Sequence, residues 1–127
     1  MSVTLEVSTP EFVKSQVKNQ NDIAFTIPYE KALKKYNNNS SLDFIDVFVA
    51  EFRKENDNLQ LNTIFYGENI DIGTSNDVVI KHLRDLIVKS MDGIENVMSK
   101  RINQFGVAQP NIQKDAANNR LYIELPL

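Results

Sequence analysis

The chain has 127 residues, enough for one core, and its 42% hydrophobic and 24% charged content lie near the globular average. A net charge of −3, with 17 acidic against 14 basic residues, argues against nucleic acid, because phosphate binding needs a concentrated basic face. With no cysteine, disulfides, thiolate catalysis and cysteine metal sites are excluded, and no apolar run approaches the roughly 18 residues that cross a bilayer.

Val3, Leu5 and Val7 alternate with Ser2, Thr4 and Glu6, the period of a half-buried strand. The same stretch lacks the basic start of a signal peptide. Thr9-Pro-Glu-Phe predicts a helix start, with Thr9 as cap and Pro10 in the first turn. Phe12, Val13 and Val17 face inward on this short helix, which frays in the polar stretch Lys18 to Asp22. A second helix is expected from near Pro28, with Ala32, Leu33 and Tyr36 inward. It stops at Asn37-Asn-Asn-Ser40, whose side chains compete for backbone hydrogen bonds. Ser40 or Ser41 is the expected cap of a third helix, with Leu42, Ile45, Val47, Phe48, Val49 and Phe52 on a broad apolar face. Asp43 sits at its positive end, and the helix gives out near Glu55 to Asn58. Leu59 to Gly73 is ambiguous by period: L-N-T-I-F-Y fits a strand or one helical turn, and Ile70-Asp-Ile72 an extended lead-in.

Thr74-Ser-Asn-Asp77 has capping-box spacing and opens a long helix running to Phe105, roughly 40–45 Å in length. Its inward side carries Val79, Leu83, Leu86, Ile87, Met91, Ile94, Met98, Ile102 and Phe105. Gly93 costs about 1 kcal/mol there relative to alanine, and a close helix–sheet approach is the reason available for it. Gly106 suits a left-handed stop with Val107 folding back on Ile102, and Pro110 prevents the helix from resuming. Ile112 marks a short strand, 116–119 a turn, and Arg120 to Leu125 a strictly alternating strand with Leu121, Ile123 and Leu125 inward.

The order is strand, helical insert, long helix, strand, strand. A right-handed crossover sets the first and second strands parallel, and the third fits between them, antiparallel to both. The expected fold is therefore α+β, half of a ferredoxin-like split β-α-β sandwich with sheet order 1-3-2 and helices on one face. The expected organisation is a single domain: strand 1–7, a mostly helical insert 8–74, and the long helix with its hairpin over 75–127. Such a half leaves one edge of the first strand unpaired, an invitation to edge-to-edge dimerisation.

Chemistry is sparse. His82 has no second histidine to share a metal and reads as an ordinary boundary residue. The carboxylate pairs Asp43/Asp46 and Glu51/Glu55, like the lysines Lys31, Lys34 and Lys35, read as solvated helix faces and ion pairs. No serine elbow, phosphate loop or dinucleotide glycine motif occurs, so no catalytic, cofactor or metal residue is assigned.

R-I-N-Q-F-G-V-A-Q-P-N-I-Q, a polar turn and R-L-Y-I-E-L-P resemble the first extracytoplasmic domain of the SecD family, at Arg101, Ile102, Gly106, Val107, Pro110, Ile112, Arg120, Ile123, Leu125 and Pro126. Met1 to Val7 is similar to the strand that follows the family's Gly-Gly turn outside the first membrane helix. The stretch from Ser8 to Thr74 matches no motif; its length and its Asn/Lys-rich character resemble the expanded versions in fused SecD–SecF chains. The resemblance implies part of a domain cut at both ends, with Leu127 standing where the family has glycine. Composition alone suggests a cytoplasmic protein; the resemblance instead implies the periplasmic face of a bacterial inner membrane.

The resemblance further implies an accessory subunit of the Sec translocase, working with SecF and the SecYEG channel on an unfolded preprotein under the proton gradient. It implies no reaction and no cofactor here, since the family's proton-carrying carboxylates lie in membrane helices. Arg101 and Arg120 read as structural, with a charged contact to the translocase as the other use. Tyr29, Tyr36, Phe65 and Tyr66, in the insert, are the candidate chain-contacting aromatics, and Phe65 also fits the core. Without the resemblance, a small acidic α+β module that binds a small ligand or oligomerises is the competing reading, and a concave apolar pocket would distinguish it.

Overall fold

Among the described residues eight elements follow in the order β1 (Ser2–Glu6), α1 (Thr9–Ser15), α2 (Ile23–Asn38), α3 (Phe44–Glu55), a 3-10 turn (Leu61–Thr63), the long α4 (Asn76–Gln104), β2 (Asn111–Asp115) and β3 (Arg120–Glu124). This is a computed structural model, and it describes residues 2–104, 111–115 and 120–124. The strands form one sheet in the order β1-β3-β2, with β3 antiparallel to both neighbours, the order and directions expected from the sequence. The chain divides into two compact units, a sheet unit of Met1–Ser8 with Arg84–Leu127 and a helical unit of Thr9–Leu83. The boundary falls inside α4.

In the helical unit, aromatic residues at helical spacing on α2 and α3 interlock. Phe48 lies 5.8 Å from Phe25, 6.4 Å from Phe44, 6.2 Å from Phe52 and 6.0 Å from Phe65, all between ring centres. Tilted and edge-on rings at these separations add to the burial of their area. Val13 of α1 and Ala32 of α2 are fully buried in this unit, and so is Leu61 in the 3-10 turn.

Four local expectations change. Helix α2 starts at Ile23, not near Pro28: Asp22 is its cap, its carboxylate accepting from Ala24 N at 3.0 Å. Pro28 thus lies inside the helix, where its missing N–H leaves the Ala24 carbonyl without a helical donor. Asn56, the C-cap of α3, supplies one through Nδ2 at 3.1 Å. The third helix is capped by Asp43, which accepts from Asp46 N at 3.1 Å, rather than by Ser40 or Ser41; Leu42 therefore falls before the helix and is 40% exposed.

Thr74 does not cap α4. Its hydroxyl is engaged by Asp71, and Ser75 Oγ instead accepts from Val78 N at 3.4 Å, one residue later than the capping box predicts. Val17 is buried outside α1, in a β-bridge with Phe65, where Lys18 N donates to Ile64 O at 2.8 Å. Within L-N-T-I-F-Y the helical alternative holds for Leu61–Thr63.

Buried Glu51 also departs from the expected solvated face. Its carboxylate pairs with Lys35 of α2 and lies 3.6 Å from Lys54, while Lys31 pairs with Glu55. The hydrogen bond from Lys35 holds the Glu51 carboxyl below the usual range against the opposing effect of burial, and Lys54 adds to it. A carboxyl lower in the folded than in the unfolded state contributes stability above its unfolded value, about pH 4.3, and loses it as pH falls through the folded value. Urea midpoints from pH 7 down to pH 3 are therefore expected to fall less steeply for Glu51→Gln than for the parent. A constant offset between the two across that range would count against this assignment.

In the sheet unit, Leu121 and Ile123 are buried and Tyr122 and Glu124 exposed, the alternation expected of β3. Met91 and Ile102 of α4 are buried in the same unit, and Lys114 of β2 pairs with Asp92 and lies 3.3 Å from Glu95 on that helix. Gly93 corrects an expectation: a Cβ there would meet nothing within 4 Å, so no close approach requires glycine. Gly93→Ala is accordingly expected to raise the unfolding free energy by about 1 kcal/mol in urea titration. A loss would show that the bare backbone is needed. Gly106, Val107, Pro110, Leu125 and Pro126, the helix end at Phe105 and the turn over 116–119 lie outside the described residues.

Candidate functional site

The aromatics expected to touch a polypeptide occupy different environments. Tyr29 is 7% exposed, its ring 4.8 Å from Phe25 and its hydroxyl donating to Pro10 O at 3.2 Å. Burial, then the Glu11 charge, pushes that hydroxyl's pKa up. Phe65 is fully buried beside Phe48 and Val17. Tyr36 is half-buried, edge-on to Phe44 at 5.5 Å. Tyr66 is 52% exposed, its N–H donating to Gln16 O at 3.3 Å. The fold therefore holds Tyr29 and Phe65 as core and presents Tyr66.

Of the motif positions, Ile102 is buried near the end of α4 and Arg101 is exposed beside it. Ile112 of β2 pairs with Ile123 of β3, which pairs in turn with Val3 of β1. Arg120 stands opposite Glu6 across the β3–β1 ladder, Nε 3.5 Å from Oε2, an exposed pair of small energetic weight.

β1 lies at one end of the sheet order, so among the described residues one of its edges has no partner strand. Such an edge offers a row of main-chain donors and acceptors to an extended peptide. His82 is half-buried, and a Cβ on Gly67 would come within 2.7 Å of its Nε2, so the ring packs on the bare backbone of Gly67.

Reading by period missed the loop before α4. Its Asp71-x-Gly-Thr74 carries the turn signal that was available. Asp71 O accepts from Thr74 N at 3.1 Å, and the Asp71 carboxylate accepts from Gly73 N at 2.9 Å and from the Thr74 hydroxyl at 3.1 Å. The Thr74 hydroxyl accepts in turn from Asp71 N at 2.9 Å. Beneath, the side chain of buried Asn62 donates to Ile72 O at 2.9 Å and to Thr74 O at 3.0 Å. At the tip Ile72 is 99% exposed.

Residues 91–126 match the family described as protein translocase subunit SecDF, P1 domain, N-terminal. Over 99% of its length the chain is 27% identical to the protein translocase subunit SecD of Rhodothermus marinus, of which it covers 20%. The chain thus spans about a fifth of that relative. No solved structure matches it. Both matches support reading the chain as part of a SecD/SecDF P1 domain, and the matched segment contains all the motif residues from Arg101 to Pro126.

Proposed function

We propose, from this kinship with the SecD P1 domain, that the chain is an extracytoplasmic part of a Sec translocase accessory subunit that assists proton-gradient-driven export by contacting the emerging unfolded chain. Similarity to SecD across nearly the whole chain is the observation that carries this reading. In this reading the chain faces the periplasm from a protein anchored in the bacterial inner membrane, with SecF and the SecYEG channel as neighbours, and it catalyses no reaction. The sheet is half of a ferredoxin-like sandwich within one larger domain, and residues 8–74 are a helical insert. The free edge of β1 would receive another strand, a preprotein segment or a second copy of the same edge.

An amide-NMR titration of this chain with an unfolded, signal-bearing precursor segment tests the proposal. Saturable shifts along β1 or in the helical unit are expected. No shift at high micromolar precursor, together with unchanged export in cells whose full-length protein lacks residues 9–83, would overturn chain contact by this part.

A further inference from the structure

The sheet unit carries as many basic as acidic residues, yet the two signs are kept apart. Of its acids, Asp92 and Glu95 are taken up by Lys114, which pairs with the one and lies 3.3 Å from the other. Glu6, Asp115 and Glu124 share the sheet face of Arg120, the one away from buried Leu121 and Ile123. The cations of α4 stand elsewhere. Lys89, Gly93, Val97, Lys100 and Arg101 recur at helical spacing, so they line one face of that helix along roughly 18 Å. Buried Met91 and Ile102 fall on its opposite side. Lys89, Lys100 and Arg101 are all exposed, and among the described residues none of them has an ion-pair partner. Between them Val97 is 48% exposed, Ile94 is 37% exposed at the shoulder, and the space beyond Gly93 is open. Asp85, one turn before Lys89, is the acid at the near end of this face.

We propose that this face of α4 is a contact surface for an anionic lipid bilayer, with Lys89, Lys100 and Arg101 meeting headgroup phosphates and Val97 and Ile94 entering the interface between them. A convex helix face with cations spread along its length encloses no single anion, but it matches a plane of headgroups. Exposed aliphatics beside long basic side chains suit the same boundary, apolar below and charged above. Three cations attract an anionic surface only weakly and reversibly. For a chain tethered to the membrane the contact is intramolecular, so weak affinity is enough to set how the sheet unit lies on the bilayer. This inference rests on the proposed membrane anchoring and adds the surface through which this part meets the lipid.

The test titrates the isotopically labelled chain with bicelles of phosphatidylcholine, with bicelles in which phosphatidylglycerol replaces part of it, and with a glutamate-rich peptide. The same titrations are run on Lys89→Gln/Lys100→Gln/Arg101→Gln, on Lys89→Gln/Lys100→Gln and on Val97→Ser, all at exposed positions, with circular dichroism to show that each folds. The expected result is a set of amide shifts over residues 89–101 with phosphatidylglycerol bicelles alone, weakened by salt and about a hundredfold weaker in the triple variant. The double variant and Val97→Ser should fall between the two. Undiminished binding by the triple variant would overturn the assignment to this face, and equal binding to phosphatidylcholine would overturn the role of the cations. Shifts over the same residues with the glutamate peptide alone would assign the face to an acidic polypeptide instead. No binding to any of the three would overturn the contact surface, while the precursor titration above decides the contact with polypeptide independently.

Discussion

Replacing Phe48 with alanine is expected to cost the chain about 3–5 kcal/mol, the range for removing a fully buried aromatic ring. Phe48 is 1% exposed, and four other rings lie within contact range of it, on α2, on α3 and at the β-bridge residue Phe65. Three separate pieces of chain therefore meet at this ring. A cavity among them cannot close by moving one side chain, because Phe25 and Phe44 are themselves packed against Tyr29. Against a total stability of about 5–15 kcal/mol, the loss brings the helical unit close to unfolding. Urea denaturation followed by circular dichroism reads the effect, with Phe48→Leu as a milder companion. A loss below about 1 kcal/mol would mean that the cluster collapses into the space, and the interlocking described here would be wrong.

Leu121→Ala is expected to cost about 2–5 kcal/mol through the sheet unit. Leu121 is 2% exposed on the central strand, paired with Leu5 of β1 on one side and Lys114 of β2 on the other. Each strand has five residues, so the inner face of β3 between its ends rests on Leu121 and Ile123. Its neighbour Tyr122 is 38% exposed on the other face, and Tyr122→Ala should cost clearly less. Amide exchange along all three strands, measured beside urea midpoints, separates the two variants. Equal losses would show that β3 does not keep one face inward, and the register of the sheet would need to be redrawn.

Much of the fold is legible because its signals are local. Strict alternation in Arg120 to Glu124 and the spacing of Val79, Leu83, Ile87 and Met91 name a strand and a helix before any partner is known. Pro28 misled for the same local reason, since proline is common in a first helical turn and breaks most helix interiors. What allows it here is Asn56, a residue 32 positions away that bonds the carbonyl Pro28 leaves free. The candidate site was less legible. Tyr29, Phe65 and Tyr66 are all aromatic residues in the insert, yet Tyr29 and Phe65 are core and Tyr66 is presented.

By itself, the sequence determined the α+β class, the long helix and the SecD-like segment within 91–126, because alternation, helical spacing and fixed motif positions are carried by neighbouring residues, and the sheet order β1-β3-β2 followed from the order of those elements with a general rule of strand connection. Only the tertiary structure decided that Glu51 is buried between lysines, that the Ala24 carbonyl is bonded by Asn56, and that Ile72 stands fully exposed on a turn clamped by Asn62. Each of these depends on a partner brought close through space, and burial is set by what packs around a side chain, to which local periodicity is blind.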